Sequence, residues 1–343
     1  MLFLKNDYSE GAHPKVLEAL QETNFVKTVG YGLDEYCQKA EEVIKATFGC
    51  PDADVHFITG GTIANTVVIA SVLKPYQGVI CVASGHINVH ESGAIEATGH
   101  KIIPFPSADG KLTAEMVETA MRENTSEHMV EPALVYISNA TELGTVYTKA
   151  EIESLSHVCR KHNLCFFIDG ARLAQAVASP ASDLELIDFP SLCDIFYIGG
   201  TKNGILFGEA IVITNDAYKS GFRNMVKRQG GMLAKGRVLG VQFLALFEDG
   251  LFMANGMHAV KQMSKIVEIL QSRGFAFLAD SPANMSFPIF TISQVGELES
   301  QIALEADVVL PDGKQAVRFV TSWATSDEDI AEFERIIDGL ESI

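Results

Sequence analysis

Ile198-Gly199-Gly200-Thr201-Lys202-Asn203-Gly204 decides how this chain is read. It continues Asp194-Ile195-Phe196-Tyr197, an apolar run that reads as a buried strand, and ends it in glycines. A lysine directly at such an end is unusual, because a flexible ammonium is costly to bury without a partner or a task. One such task is a Schiff base, in which an aldehyde cofactor engages the amine covalently. The other reading is a surface lysine in a glycine-rich loop, and the heptapeptide alone favours it. The neighbouring segments have to decide.

Upstream, the pattern alternates regularly. Val55–Ile58 is a short apolar run ending in Thr59-Gly60-Gly61-Thr62 and followed by helical Ala64–Leu73. Val79–Val82 leads into Ser84-Gly85-His86, and a helix is expected over Glu91–Thr98. Strands at Lys101–Phe105 and Ala133–Ile137 flank a helix over Thr113–Arg122. A helix from about Lys149 to His162 leads to Leu164–Ile168, which stops at Asp169-Gly170-Ala171-Arg172. Strands without polar alternation, separated by amphipathic helices, predict an α/β fold with a mostly parallel sheet sandwiched by helices. Ligands of such sheets gather beyond the carboxyl ends of the strands. Here those ends carry Gly61-Thr62, His86, Asn139, Asp169 and Lys202.

After Ile213 the pattern changes. A long apolar helix around Val238–Phe247 is followed by a helix over Met257–Ser272, strands over Phe287–Ile292 and Val317–Ser322, and a last helix over Asp327–Leu340. The expected division is a large domain, 1–249, and a smaller C-terminal α/β domain, 250–343.

Composition narrows the function classes. The formal charge of −18 argues against nucleic-acid and anionic-membrane partners, which call for clustered Lys and Arg. No apolar run reads as membrane-spanning, and the N-terminal residues lack a signal peptide's layout. Six cysteines fall mostly within apolar segments, with no C-x-x-C pair and no zinc-finger spacing, so no metal is expected. The expectation is a cytoplasmic protein acting on a small molecule.

Thr59-Gly60-Gly61-Thr62 suits a phosphate, because its glycines expose backbone N–H groups at a helix N-terminus. Taken alone, a plain strand–helix turn is the simpler reading. Asp169 ends an apolar strand, so its carboxylate calls for something cationic: a protonated pyridine nitrogen, or a structural pair with Arg172. A glycine turn, then an acid, then a lysine on successive strand ends is the order used by pyridoxal phosphate enzymes of the aspartate-aminotransferase fold.

Along almost its full length the chain resembles the L-threonine aldolase family, also grouped with the β-eliminating lyases, and within it the bacterial low-specificity branch. The resemblance is carried by Asn6-Asp7-Tyr8-Ser9, Gly30-Tyr31-Gly32-x-Asp34, Gly60-Gly61-Thr62-x-x-Asn65, Gly85-His86-Ile87-x-x-x-Glu91, Thr141-Glu142-x-Gly144, Asp169-Gly170-Ala171-Arg172, Gly199-Gly200-Thr201-Lys202-Asn203-Gly204 and Arg318-x-x-x-Ser322-Trp323. It implies pyridoxal-phosphate fold type I, with pyridoxal 5'-phosphate held covalently on Lys202. Asp169 would keep the ring nitrogen protonated and His86 would stack on the ring. Gly60, Gly61 and Thr62 would bind the phosphate, with Thr201 and Arg172 beside the cofactor. Arg318 would clamp the substrate carboxylate, with Arg172 and Asn6 nearby. His128 would lie near the β-hydroxyl.

The implied reaction is retro-aldol cleavage of a β-hydroxy-α-amino acid to glycine and an aldehyde. β-Elimination, an aldolase for bulkier substrates, and a non-catalytic cofactor-binding protein are the alternatives. The family also implies a homo-oligomer, dimer or tetramer, with the loops Tyr31–Asp34 and Arg228–Lys235 completing the neighbour's phosphate site. The chain departs from the family pattern at Lys5-Asn6, where serine is usual, at Leu33, where an acid is common, and at Gly230–Lys235.

Overall fold

The computed structural model describes residues 1–340. Its centre is a seven-stranded sheet in the order Asp54–Ile58, Glu209–Ile213, Ile195–Gly199, Cys165–Asp169, Glu131–Ser138, Gln77–Val82, Lys101–Phe105. Only Glu209–Ile213 runs antiparallel to its neighbours. Period-two alternation sorts the strand side chains into two cores, as expected of a sheet covered twice. Phe166, Ile168, Phe196 and Ile198 pack into one core, while Cys165, Phe167, Ile195 and Tyr197 pack into the other.

The covering helices start and stop where local chemistry dictates. Asp34 caps Glu35–Phe48 by accepting from the N–H groups of Tyr36 and Cys37, and Gly49 ends that helix at φ 66°. Thr148 and Glu151 form a capping box on Lys149–His162, whose Ile152, Leu155 and Cys159 face the core. All six cysteines are free and buried.

A second, smaller layer pairs Ile289–Phe290, Gln315–Val320 and Glu305–Val309 antiparallel, with Met285–Ser286 also on Gln315–Val320. The N-terminal arm joins this layer. Leu2–Phe3 pairs with Ile302–Ala303, and Leu2 and Leu4 are buried in the same core as Phe319 and Phe333.

Several elements differ from the sequence reading. The expected helix Glu91–Thr98 is a short helix at His86–Val89 and a 3-10 turn at Glu96–Thr98, because Ser92 and Gly93 both take positive φ between them. The expected strand Phe287–Ile292 is split at Pro288, which has no N–H to donate. Ile292 instead opens a helix, with Thr291 and Gln294 as its capping box. The helix expected from Met257 begins at Leu251. The stretch Arg237–Ser272 is, by length and composition, apolar enough to cross a membrane, contrary to the reading above. It is broken at Asp249 and Gly250, both at positive φ, and most of its apolar window is buried in the fold.

Candidate active site

Six strands running the same way end at one edge of the large sheet: at Ile58, Val82, Phe105, Ser138, Asp169 and Gly199. The antiparallel strand begins there, so Glu209 sits in register with both Ile58 and Gly199. Close packing at this edge requires its glycines. A Cβ on Gly199 would collide with the Ala171 backbone, and one on Gly170 with the Tyr197 carbonyl. Beyond the edge lies a cavity of about 490 Å³, closed on its far side by Met285, Glu305 and Arg318 from the small layer. Of the residues singled out by sequence, Gly60, Gly61, Thr62, His86, Arg172, Thr201, Lys202 and Arg318 all line it.

Lys202 lies in the 3-10 turn Thr201–Asn203, and its Nζ stands 6.0 Å from the centre of the Tyr8 ring. Burial and the nearby Arg172 charge lower its pKa, against the pull of Asp7, Asp169 and Glu209. The amine is therefore shifted toward its neutral, nucleophilic form.

Asp169 is buried behind the cavity wall and accepts three hydrogen bonds. Its Oδ2 accepts from Tyr136 Oη at 2.6 Å and Asn65 Nδ2 at 3.1 Å, and its Oδ1 accepts from the Ala171 N–H at 3.0 Å. Asn65 also donates to Glu91 Oε1 at 2.7 Å, and Glu91 holds His86 Nδ1 at 2.7 Å. The circuit closes through Glu142, which accepts from the His86 N–H at 2.9 Å and from Ser138, itself bonded to Tyr136. Burial disfavours the His86 imidazolium, but Glu91 and the Asp169 charge outweigh it and raise the pKa. Burial also raises the pKa of Glu142, with the Asp169 charge adding to the effect.

The two arginines are held differently. Arg172 does not pair with Asp169, as one sequence reading allowed. Its Nε and Nη2 bind Asp7 of the N-terminal arm at 2.7 and 3.0 Å, and Asn284 adds a third bond to that carboxylate. Asp169 already has three donors in its own layer, while Asp7 is fully buried and needs a cation. Arg318 lies inside the strand Gln315–Val320 and is bonded through Nη2 to Glu305 on the paired strand. Its Nε is buried without a partner.

Two expected residues are not brought in. His128 is exposed on the loop before Glu131–Ser138, at the opposite end of that strand from the cavity. Eight strand residues span about 26 Å, which a side chain cannot bridge. Asn6 turns its carbonyl oxygen to the Tyr8 N–H and Ser9 Oγ, forming a local turn, and it does not line the cavity. Sequence reasoning in turn assigned no role to Asp7, Tyr8, His90, Glu142, Glu209 and Glu305. Asp7, Tyr8 and Glu142 stood inside the quoted motifs. Glu209 had a signal like that of Asp169, a lone acid at the tip of an apolar strand.

The family model described as beta-eliminating lyase matches residues 8–287. A threonine aldolase of Leishmania major has a structure similar to this one, with a TM-score of 0.97 and 44% identity over 98% of this chain and 99% of that one. The low specificity L-threonine aldolase of a Pseudomonas strain is 29% identical over 339 residues, 96% of this chain and 95% of that protein. An aspartate aminotransferase variant of Thermus thermophilus shares the fold, with a TM-score of 0.71 at 14% identity, covering 98% of this chain and 91% of that one.

Proposed function

The chain belongs to the beta-eliminating lyase family, and from that premise we propose that it is a pyridoxal-phosphate-dependent carbon–carbon lyase cleaving L-threonine and L-allo-threonine to glycine and an aldehyde. One observation carries the reading. A half-buried amine, Lys202, shares a cavity with the N-terminus of the helix Gly61–Val72 and with two arginines.

The residues fit pyridoxal 5'-phosphate. The helix Gly61–Val72 has no side-chain cap, and Ala64 is the first residue whose N–H finds an intrahelical carbonyl. The N–H groups of Gly61, Thr62 and Ile63 are thus left for an anion. Lys202 supplies the amine that holds the aldehyde, and Asp169 a buried carboxylate to face the ring nitrogen. When bound, the cofactor supplies an electron sink for the pair left as the Cα–Cβ bond breaks.

The protein's own groups do the rest. Arg318, with its buried Nε left unpartnered by the chain, takes the substrate carboxylate and fixes the scissile bond's orientation. His86, kept toward its charged form by Glu91, packs beside the cofactor and is a poor base. His90, its ring 5.4 Å from that of His86, is the other imidazole of the wall and takes the β-hydroxyl proton.

A homo-oligomer, dimer or tetramer, is part of the same reading. It is supported by an exposed apolar face at Phe25, Val29, Tyr31 and Leu33, which adjoins the loop ending at Lys235 through a bond from the Tyr31 N–H to the Ala234 carbonyl. Purified protein loaded with cofactor and given L-threonine should release glycine and acetaldehyde in equal amounts. Ammonia and a keto acid instead would overturn the aldolase reading in favour of elimination.

A further inference from the structure

Among the described residues, Glu209 is the acid of the cavity wall that bonds directly to the turn carrying Lys202. It opens the only antiparallel strand of the large sheet, and that reversal brings it to the edge where the parallel strands end. Its residue surface is 4% exposed. Its Oε2 accepts from the Gly200 N–H at 2.8 Å and its Oε1 from Thr201 Oγ1 at 2.9 Å, the two residues that precede Lys202. Thr201 Oγ1 also accepts from the Gly208 N–H at 2.9 Å, so the turn and the strand start are tied together. A carboxylate this buried is retained at a cost unless it serves a neighbour.

We propose that Glu209 is a positioning residue for Lys202: it locks the Gly200–Thr201 turn beneath the amine, and its charge sets the pH at which the ammonium gives up its proton to become the nucleophile. The inference rests on Lys202 being the amine that takes the cofactor aldehyde. The balance is simple. An ammonium beside a carboxylate becomes a neutral amine as one proton leaves nitrogen, and a protonated Glu209 can keep that proton within the cavity.

Other charges bear on the pair. Arg172 and Asp169 face Lys202 from the strand Cys165–Asp169 and its turn, Asp7 from the N-terminal arm, and the Tyr8 ring lies beside it. Asp169 and Tyr197 face Glu209. Burial, only partly offset by its two hydrogen bonds and the Lys202 charge, raises the Glu209 carboxyl to about 7. The carboxyl therefore changes its charge within the physiological range.

The test is the rate at which the full-length, cofactor-stripped chain takes up pyridoxal 5'-phosphate, followed by absorbance from pH 6 to 10. Borohydride fixation and peptide mapping identify the labelled residue. Glu209→Gln removes a negative charge that stabilises the ammonium, so the midpoint of the rate profile should fall by at least one unit, a tenfold gain in neutral amine below the midpoint. Glu209→Asp, which keeps the charge but retracts it by one methylene, should give an intermediate midpoint. A Gln variant that folds by circular dichroism and is slowed equally at every pH, with its midpoint unmoved, would mean a structural brace only and overturn the proposal. If the Gln variant does not fold, an Asp midpoint identical to wild type overturns it in the same way. Label recovered away from Lys202 overturns both this proposal and the cofactor assignment, whereas label on Lys202 with an unmoved midpoint overturns this proposal alone.

Discussion

Arg172 and Arg318 reach the same cavity from opposite layers, and their anchors differ in kind. Arg172 makes a two-pronged bond to Asp7, with side chains 13% and 0% exposed, and Asn284 completes the acceptor's shell. Arg318 is held by one nitrogen to Glu305, with side chains 19% and 45% exposed, and it keeps a buried Nε unpartnered. The first pair is a fixed brace that ties the N-terminal arm, the large sheet and Asn284 together. The second has a half-exposed partner and an unused donor, as a group that must exchange ligands requires. Identical side chains in one cavity thus differ in how completely the fold satisfies each of them.

The largest expected effect breaks the brace. Arg172→Ala leaves Asp7 buried and uncompensated, which should cost about 3–5 kcal/mol of stability. Denaturant unfolding checks it. Joint replacement by Asp7→Leu and Arg172→Met should cost less than the single change, because no charge is then stranded.

Arg318→Lys comes next. It keeps the charge and loses the planar fork, so cleavage should fall more than tenfold, above about 1.4 kcal/mol, with both kcat and KM affected. Folding and the cofactor's absorbance should be unchanged. Near-normal kcat/KM would move the carboxylate site to Arg172 or Lys5.

A third effect depends on pH. Burial works against the Asp7 carboxylate, but the Arg172 and Lys202 charges, with hydrogen bonds from Arg172 and Asn284, outweigh it and hold the pKa below the ordinary value. The unfolded chain therefore binds this proton more readily than the folded one. The brace contributes fully above the ordinary carboxyl range, near pH 4, and its contribution is lost as pH falls through the lowered folded value. Asp7→Asn should accordingly be less stable at neutral pH and show a shallower acid limb in stability-versus-pH curves.

The smallest effect is at the pliable pair. Glu305→Gln should change stability by less than about 1 kcal/mol, as for exposed pairs generally. It should shift KM for threonine by less than tenfold. A loss as large as that of Arg172→Ala would erase the distinction between the two arginines.

The same division runs through what could be read in advance. The strand run ending at Gly199-Gly200-Thr201-Lys202, the glycine turn at Gly60-Gly61 and the acid at Asp169 could all be placed from local apolar periodicity, and all meet at one sheet edge. His128 could be found as a residue, but motif spacing does not say at which end of its strand the site lies.

By itself the sequence determined the alternation of buried strands and helices, hence the parallel sheet, its ligand edge and the amine on it. Each of those follows from side chains within a few residues of one another, whose burial preferences are local. Only the tertiary structure decided the partners of the charges: Arg172 with Asp7 rather than Asp169, Arg318 with Glu305, and Glu209 with the Gly200–Thr201 turn that carries Lys202. Those pairings depend on the reversed direction of a single strand, the register of an antiparallel pair and the path of the N-terminal arm. Such long-range geometry leaves no periodic trace in the chain, because a buried charge is satisfied by whichever opposite group the fold brings to it.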